Sequence, residues 1–159
     1  HKKLTGKKES LDYEVARTKK WKKIYNKEKR KNITIKKAKK IRINRCVKAG
    51  FPRNLCPAII QGAKQARRMR WAFNPSMAWI VKHESGFRPC VRNGGVIDCN
   101  YTGDRAYGLF QFLGSTWAGV GCRITSNPVV QTRCGIRYIK RRYHSPAGAV
   151  AFWQSHNWY

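Results

Sequence analysis

One glutamate stands at the end of an apolar segment, MAWIVKHESGFRPC, in a strongly basic chain. Met77, Ile80, Val81 and Glu84 are spaced at i, i+3, i+4 and i+7, which places all four on one face of a helix. On such a face desolvation favours the protonated carboxyl group and raises its pKa. A carboxyl group that keeps its proton nearer neutral pH can protonate a leaving oxygen, as glycosidic bond cleavage requires. The spacing alone is equally compatible with general acid chemistry at Glu84 and with a structural ion pair to one of the many cations.

The other acidic residues limit the mechanisms open to this glutamate. The C-terminal two thirds of the chain contains only two further acids, Asp98 and Asp104. Both lie in a segment rich in turn residues, where Asp is common. Hydrolysis by a pair of carboxylates, whether retaining or inverting, would have to use one of them. The alternative to catalysis is a structural ion pair between Glu84 and Lys82, Arg88 or another cation.

The charge of the chain indicates a polyanionic partner. The 159 residues include 35 Lys/Arg and 7 Asp/Glu, for a formal net charge of +28. Residues 1–48 alone hold 20 of the Lys/Arg and four of the acids. Charge of this size favours binding to nucleic acid, a membrane surface or an anionic cell envelope. The alternative is that the charged side chains only keep the protein solvated. Nucleic acid is the less favoured partner, because the basic segment has few aromatic residues for stacking and no fingerprint of a known nucleic-acid fold.

The six cysteines predict a disulfide framework rather than a metal site. None of them lies in a C-x-x-C pair, and their number is even. Six cysteines allow 15 connectivities. The connectivity made of three short-range pairs is favoured, because closing a short loop costs little chain entropy. Six buried free thiols are the alternative. The favoured pairs are Cys46–Cys56, Cys90–Cys99 and Cys122–Cys134.

Disulfides imply an oxidising compartment, so we expect an extracytoplasmic protein: secreted, periplasmic, cell-wall-bound or virion-associated. No apolar run approaches the roughly 20 residues that span a bilayer. Because the chain begins with His1, we expect it to be processed or cut from a longer precursor.

The N-terminal segment is predicted to be an arm attached to a separate domain. Residues 1–10 are polar and are expected to be disordered. A weakly amphipathic helix is predicted over residues 11–31, and Asn32 or Thr34 can start a second one that stops near Gly50. The apolar face of the first helix consists of Leu11, Val15, Trp21, Ile24 and Tyr25. Long lysine faces and few apolar anchors argue against an independent core. We therefore divide the chain into a basic, partly helical arm, residues 1–48, and a domain over residues 49–159.

Prolines and capping residues predict short helices in the domain, and one turn signal predicts a hairpin. Helices should begin at Pro57, after Asn74, near Ser115 or Thr116, after Asn127 and after Ser145. Asn93-Gly94, with β-formers around it, is typical of a hairpin turn. The expected fold is mainly α with a small β-hairpin, in the α+β class.

Three segments in order, HESGFRP, AYGLFQFLGSTW and RYIKRRYHSPAGAVAFW...NWY, resemble the lytic transglycosylase (soluble lytic transglycosylase-like) family of the lysozyme-like superfamily. The likeness covers roughly residues 55–159. It rests on a Glu-Ser pair ending a helix, a Gly-Leu-x-Gln segment about two dozen residues later, and an aromatic segment in a C-terminal helix. The resemblance implies a lysozyme-like domain carrying a basic helical arm.

The resemblance also implies an activity and a set of site residues. The activity is cleavage of the β-1,4 bond between N-acetylmuramic acid and N-acetylglucosamine in peptidoglycan. Glu84 would be the acid and then the base, and Ser85 would lie beside it. Tyr107 and Gln111 would lie in the substrate cleft, with the Gly108 backbone close to the sugar. The alternatives are that Ser85 only caps the helix, that Gln111 only satisfies backbone groups of the hairpin, and that Tyr107 only packs in the core.

One segment departs from the family pattern, which usually reads Ala-Tyr-Asn. The corresponding residues here are Ala151, Phe152 and Trp153. A Tyr hydroxyl near the acid would be missing if Phe152 takes that place. Trp153 would then either stack on a sugar or fill the core.

The scarcity of acids favours a lytic transglycosylase over a hydrolytic muramidase. In the family, the substrate's own N-acetyl group and 6-hydroxyl do the nucleophilic work and leave a 1,6-anhydro product. We expect a monomer with no metal or cofactor, held by its arm to anionic wall polymers or a membrane surface. The rival hypothesis is a non-catalytic module that binds the cell wall, another polyanion or nucleic acid.

Overall fold

The chain is mostly helical in a computed structural model, which describes residues 2–157 and the side chains from residue 14 onward. It divides into two units, His1–Ile41 and Arg42–Tyr159. The helices are α1 (Lys2–Lys48), α2 (Cys56–Gln65), α3 (Pro75–Ser85), α4 (Gly114–Gly119), α5 (Pro128–Tyr143) and α6 (Pro146–His156), with a 3₁₀ helix at Met69–Phe73. The mainly α class is therefore confirmed.

The basic segment forms one continuous helix, so the predicted disorder of residues 2–10 and the predicted restart near Thr34 are wrong. The Thr34 hydroxyl donates to the carbonyl oxygen of Arg30 at 3.0 Å, four residues back, instead of capping a new helix. Lysine and arginine sustain a helix well, and no Gly or Pro interrupts residues 7–48. Of its predicted apolar face, Trp21 and Tyr25 are 61% and 65% exposed, whereas the Leu11 side chain lies outside the described residues.

Three of the predicted helix starts are confirmed by their caps. The side chains of Asn74, Asn127 and Ser145 accept hydrogen bonds from backbone N–H groups at the starts of α3, α5 and α6. A proline follows each cap, where its missing N–H costs nothing. The expected cap at Ser115 or Thr116 is wrong, because α4 begins after Leu113 without a side-chain cap.

The core of the second unit forms where α2 packs on α5 and where α3 packs on α6. Glycine permits the closest approach: a Cβ on Gly62 would lie 2.5 Å from the carbonyl oxygen of Val129 and 2.6 Å from the Cβ of Thr132. Ile59, Ile80 and other fully buried side chains fill the space between these helices. The second contact places α3, which carries the candidate acid, against α6.

The predicted β-hairpin is not present, and this expectation is wrong. Between α3 and α4 only isolated antiparallel bridges occur: Val91 with Ile97, Arg92 with Tyr107, and Tyr107 with Phe112. The adjacent residues Val91 and Arg92 bridge different segments, so neither pairing extends into a ladder. A turn does form at the predicted place, where the Gly95 N–H donates to the Arg92 carbonyl oxygen at 3.0 Å.

All three predicted cysteine pairings are confirmed. Cys46–Cys56, Cys90–Cys99 and Cys122–Cys134 are bonded, with Cα–Cα distances of 5.8, 4.6 and 6.4 Å. Three intramolecular disulfides are compatible with a secreted protein. Among the described residues, no helix is both long and apolar enough to cross a membrane.

Candidate functional site

Glu84 lies in the last turn of α3, where the sequence predicted it. Gly86 ends the helix in the left-handed conformation, with φ of 58°. Met77, Ile80 and Val81 are fully buried, so the helix face that leads to Glu84 is the core face. Glu84 itself is half-buried at the edge of this face. Its carboxylate is therefore partly removed from water while remaining open to one side.

Among the described residues, one hydrogen bond holds the Glu84 carboxylate. The indole Nε1–H of Trp153, on α6, donates to Oε1 at 2.7 Å. Burial raises the pKa of Glu84 above its ordinary value, and the bond from Trp153 and the charge of His83 oppose that rise. The predicted pKa direction is thus confirmed, with desolvation as its main cause.

The structural ion pair considered for Glu84 does not form among the described residues. Arg88 turns away to donate from Nε to the carbonyl oxygen of Ser85 at 2.9 Å. Lys82, on the same turn of α3, is exposed. The carboxyl group therefore lies beside aromatic rings and a histidine rather than against a bonded cation.

Three aromatic rings pack against one another beside the hydrogen bond between Trp153 and the acid. Trp79 stacks on His83 with centroids 3.6 Å apart. Trp153 meets both rings edge-on, 5.1 Å from Trp79 and 5.4 Å from His83. We name Trp79, His83 and Trp153 the aromatic cluster. Our sequence reasoning missed its first two members, although their i, i+4 spacing on the helix that carries Glu84 is a visible signal.

Ser85 is adjacent to Glu84 in sequence, but its hydroxyl points elsewhere. It is buried and donates from Oγ to the carbonyl oxygen of Val81 at 3.0 Å. Its own carbonyl oxygen receives the Arg88 guanidinium. Both polar groups of Ser85 thus support the end of α3.

The segment with Tyr107, Gly108 and Gln111 forms a compact loop whose polar groups bond to its own backbone. The buried Tyr107 donates its hydroxyl to the Asp98 carbonyl oxygen at 2.9 Å, and desolvation raises its pKa. The Gln111 Nε2 donates to the carbonyl oxygens of Gly108 and Val91 at 2.9 and 3.0 Å. These contacts assign the three residues to loop structure, with Gln111 half-exposed.

A buried amide, not singled out from the sequence, organises this loop. Gln131 on α5 is fully buried; its Oε1 accepts from the Leu109 N–H at 2.9 Å. Its Nε2 donates to the carbonyl oxygens of Pro89 and Thr125, both at 2.7 Å. Gly108, at φ of 78°, passes so close that a Cβ there would lie 2.6 Å from Nε2 of Gln131. A glutamine among the apolar positions of α5 is the signal that would have located it.

Phe152 and Trp153 are neighbours in sequence but take part in different contacts. Phe152 stacks on His156 at 4.0 Å and contacts the Tyr143 ring at 5.2 Å. The Arg142 guanidinium lies 5.7 Å from its ring centroid. Trp153, not Phe152, supplies the hydrogen bond to the acid.

The two remaining acids of this unit lie in turns. Asp98 accepts the Asn100 N–H on Oδ1 at 3.0 Å, an ordinary Asx turn. Asp104 is exposed. Within the described part of the chain, no group of three or more His, Cys, Asp or Glu is arranged to hold a metal ion.

Comparison with known proteins finds no match to a protein-family model, to a curated protein or to a solved structure. The likeness to lytic transglycosylases therefore rests on the three short segments alone.

Proposed function

We propose that this protein cleaves the β-1,4 bond between N-acetylmuramic acid and N-acetylglucosamine in peptidoglycan, with Glu84 as general acid and then base. One observation carries the proposal. Glu84 is a half-buried carboxyl group whose pKa is raised by desolvation and which is bonded to Trp153 beside further aromatic rings. Aromatic side chains offer apolar faces on which sugar rings pack.

The reaction needs one proton donor at the glycosidic oxygen. The proton of Glu84 passes to that oxygen as the bond from C1 of N-acetylmuramic acid breaks, and the bonding electron pair goes to the leaving oxygen. The N-acetyl group of the same sugar supports C1 during this step. The 6-hydroxyl then attacks C1, and its proton returns to Glu84. The product is a 1,6-anhydro sugar, and the acid is regenerated.

The positions of the other acids favour this route over hydrolysis. A carboxylate nucleophile or base would have to face Glu84 across the sugar. Asp98 is engaged in its turn, and Asp104 is exposed on the same loop. A substrate that supplies its own nucleophile removes the need for a second carboxylate. Hydrolytic muramidase activity on the same bond is the runner-up.

The basic helix suggests how the enzyme finds its substrate. The cationic side chains of α1 that are described are exposed, and residues 1–48 hold 20 Lys/Arg against four acids. Such a surface attracts an anionic cell envelope, through wall polymers or the membrane surface. The same charge favours the second candidate function, a polyanion-binding module without catalysis.

Clearing of a purified cell-wall suspension separates these functions. We expect Glu84→Gln to keep the fold, because the amide oxygen can still accept from Trp153, and to lose activity by about 10²–10⁴-fold. The matched control is Asp104→Asn, the same acid-to-amide change on an exposed loop, which should clear walls normally.

Mass spectrometry of the released muropeptides tests the reaction type. Transglycosylation gives a product lighter by one water than the hydrolytic product. Near-normal clearing by Glu84→Gln would refute the assignment of the acid. Loss of clearing in Asp104→Asn, with hydrated products from the wild type, would favour the muramidase.

A further inference from the structure

The bond between Trp153 and Glu84 has a direction that matters for proton transfer. An indole Nε1–H is a donor and never an acceptor. Its partner, Oε1 of Glu84, is therefore the accepting oxygen both when the carboxylate is ionised and when the carboxyl group is protonated. At 2.7 Å the contact is short for an N–H···O bond, as expected where the acceptor can carry charge.

We propose that Trp153 is a positioning residue that reserves Oε1 and thereby assigns the transferable proton to Oε2 of Glu84. This inference rests on the proposed function. Without the indole bond, the carboxyl group could rotate and present either oxygen, and the proton would be misplaced in half of its orientations. With it, the carbonyl oxygen, which is the better acceptor, faces the indole, and the hydrogen is favoured on the oxygen opposite Trp153.

The surrounding contacts hold the indole in a fixed orientation. Trp153 packs edge-on against Trp79 and His83, which stack on each other. The His83 Nδ1 lies 2.8 Å from the Trp79 carbonyl oxygen, so its ring is tied to the same helix. Two α3 side chains thus orient the α6 residue that in turn orients Glu84. Because packing fixes the Trp153 ring, its hydrogen bond can hold the Glu84 carboxyl group in the orientation that proton transfer requires.

Few other charges influence Glu84. His83 is its neighbour on α3 and acts through its charge. On α6 the only titratable side chain is His156, and its Nδ1 lies 3.0 Å from the Phe152 carbonyl oxygen. The 3₁₀ helix that packs on α3 carries Arg70, which is exposed, and Arg88 bonds the backbone after α3. Trp153 is therefore the one side chain that bonds Glu84 directly among the described residues.

The first test is an NMR titration that needs no activity. The Nε1–H resonance of Trp153 should shift as Glu84 ionises, and this shift should be absent in Glu84→Gln. In Trp153→Phe, which keeps an aromatic ring and removes the donor, the pKa of Glu84 should rise because a bond to its charged form is lost. The control is Trp71→Phe, the same substitution in the 3₁₀ helix, which should leave the Glu84 titration unchanged.

The second test is the pH profile of peptidoglycan cleavage. In Trp153→Phe we expect kcat to fall by about 10–100-fold with little change in KM, because a misplaced group impairs the chemical step more than binding. The basic limb of the profile should move to higher pH with the Glu84 pKa. A merely structural role would lower stability without moving that limb.

The outcomes distinguish this inference from the proposed function. If the wild type cleaves walls but the Trp153 resonance ignores Glu84 and the pH limb stays in place, the positioning role is overturned. If the resonance follows Glu84 while walls remain intact, the contact is supported and the proposed function is overturned instead. Should Trp153→Phe fail to fold, the wild-type and Glu84→Gln titrations still decide the matter.

Discussion

Removing the Cys46–Cys56 disulfide should cost a calculable amount of stability. The bond links the end of α1 to the first residue of α2, with a sequence separation of 10. A loop of that length closed by a crosslink lowers the entropy of the unfolded chain by about 9 cal/mol/K, or about 2.7 kcal/mol at 25 °C. Both cysteines are fully buried, so replacement by alanine also leaves a small void worth about 1 kcal/mol. We expect the double alanine variant to lose about 4 kcal/mol.

The matched control is the double alanine variant of Cys90 and Cys99. Its loop is almost as long, with a separation of 9, so the entropic loss is about 2.6 kcal/mol. Cys99 is exposed and Cys90 only half-buried, so little void should form. The difference between the two variants therefore reports the burial of Cys46 and Cys56 alone.

Urea unfolding followed by near-ultraviolet circular dichroism measures both losses. In thermal unfolding, a loss of 3 to 4 kcal/mol corresponds to a fall in Tm of about 10–15 °C for a unit of this size. The reasoning is refuted if the buried pair costs less than the exposed pair. It is also refuted if alkylation of the native, unreduced protein finds free thiols at Cys46 and Cys56.

Three further predictions concern packing, pH and the arm. Gly62→Ala should lower the free energy of unfolding, measured in urea, by about 1–3 kcal/mol, because the added Cβ would meet the Val129 carbonyl oxygen. Gly119→Ala is the control and should leave the free energy of unfolding unchanged, because nothing lies within 4 Å of its Cβ. Equal effects would contradict the packing argument. Burial raises the folded-state pKa of Glu84 above its ordinary value, so ionisation of Glu84 lowers the free energy of unfolding as pH rises from the unfolded-state pKa through the folded-state pKa. Glu84→Gln should accordingly be more stable than the wild type near neutral pH, and the gain should vanish at acid pH; a gain that grows on acidification would be inconsistent with burial of the carboxylate. A chain beginning at Arg42 should cleave short soluble glycans normally. It should bind whole walls weakly in co-sedimentation at low salt, where charges act over about 10 Å or more. If this chain folds but fails on short glycans, the arm belongs to the cleft.

Local rules predicted the features that depend on a few adjacent residues. The caps at Asn74, Asn127 and Ser145 followed from a polar residue before a proline, and the structure confirms all three. The disulfides followed from loop length. The hairpin predicted around Asn93-Gly94 was wrong because some backbone groups there pair with a later segment of the loop instead of across the turn. The Asn93 N–H, for example, donates to the Ala106 carbonyl oxygen, a pairing that no turn signal specifies.

The candidate site was predictable only along α3. Helical periodicity placed Glu84 on the buried face and gave the direction of its pKa. Periodicity within one helix says nothing about which residue of another helix meets that face, so the hydrogen bond from Trp153 could not be derived. The stacking of Trp79 on His83 was accessible from their spacing, but its edge-on contact with α6 depends on how the two helices pack.

The Gln131 amide has a consequence for the kinetics of folding. Its three partners lie 6, 22 and 42 positions away in the sequence. The two longer closures cost chain entropy before they return any stabilisation, so we expect them to be absent from the folding transition state. Interactions absent from the folding transition state act mainly on the rate of unfolding. The hydrogen bonds of Gln131 would then slow the opening of the loop between α3 and α5 and have little effect on the rate of folding.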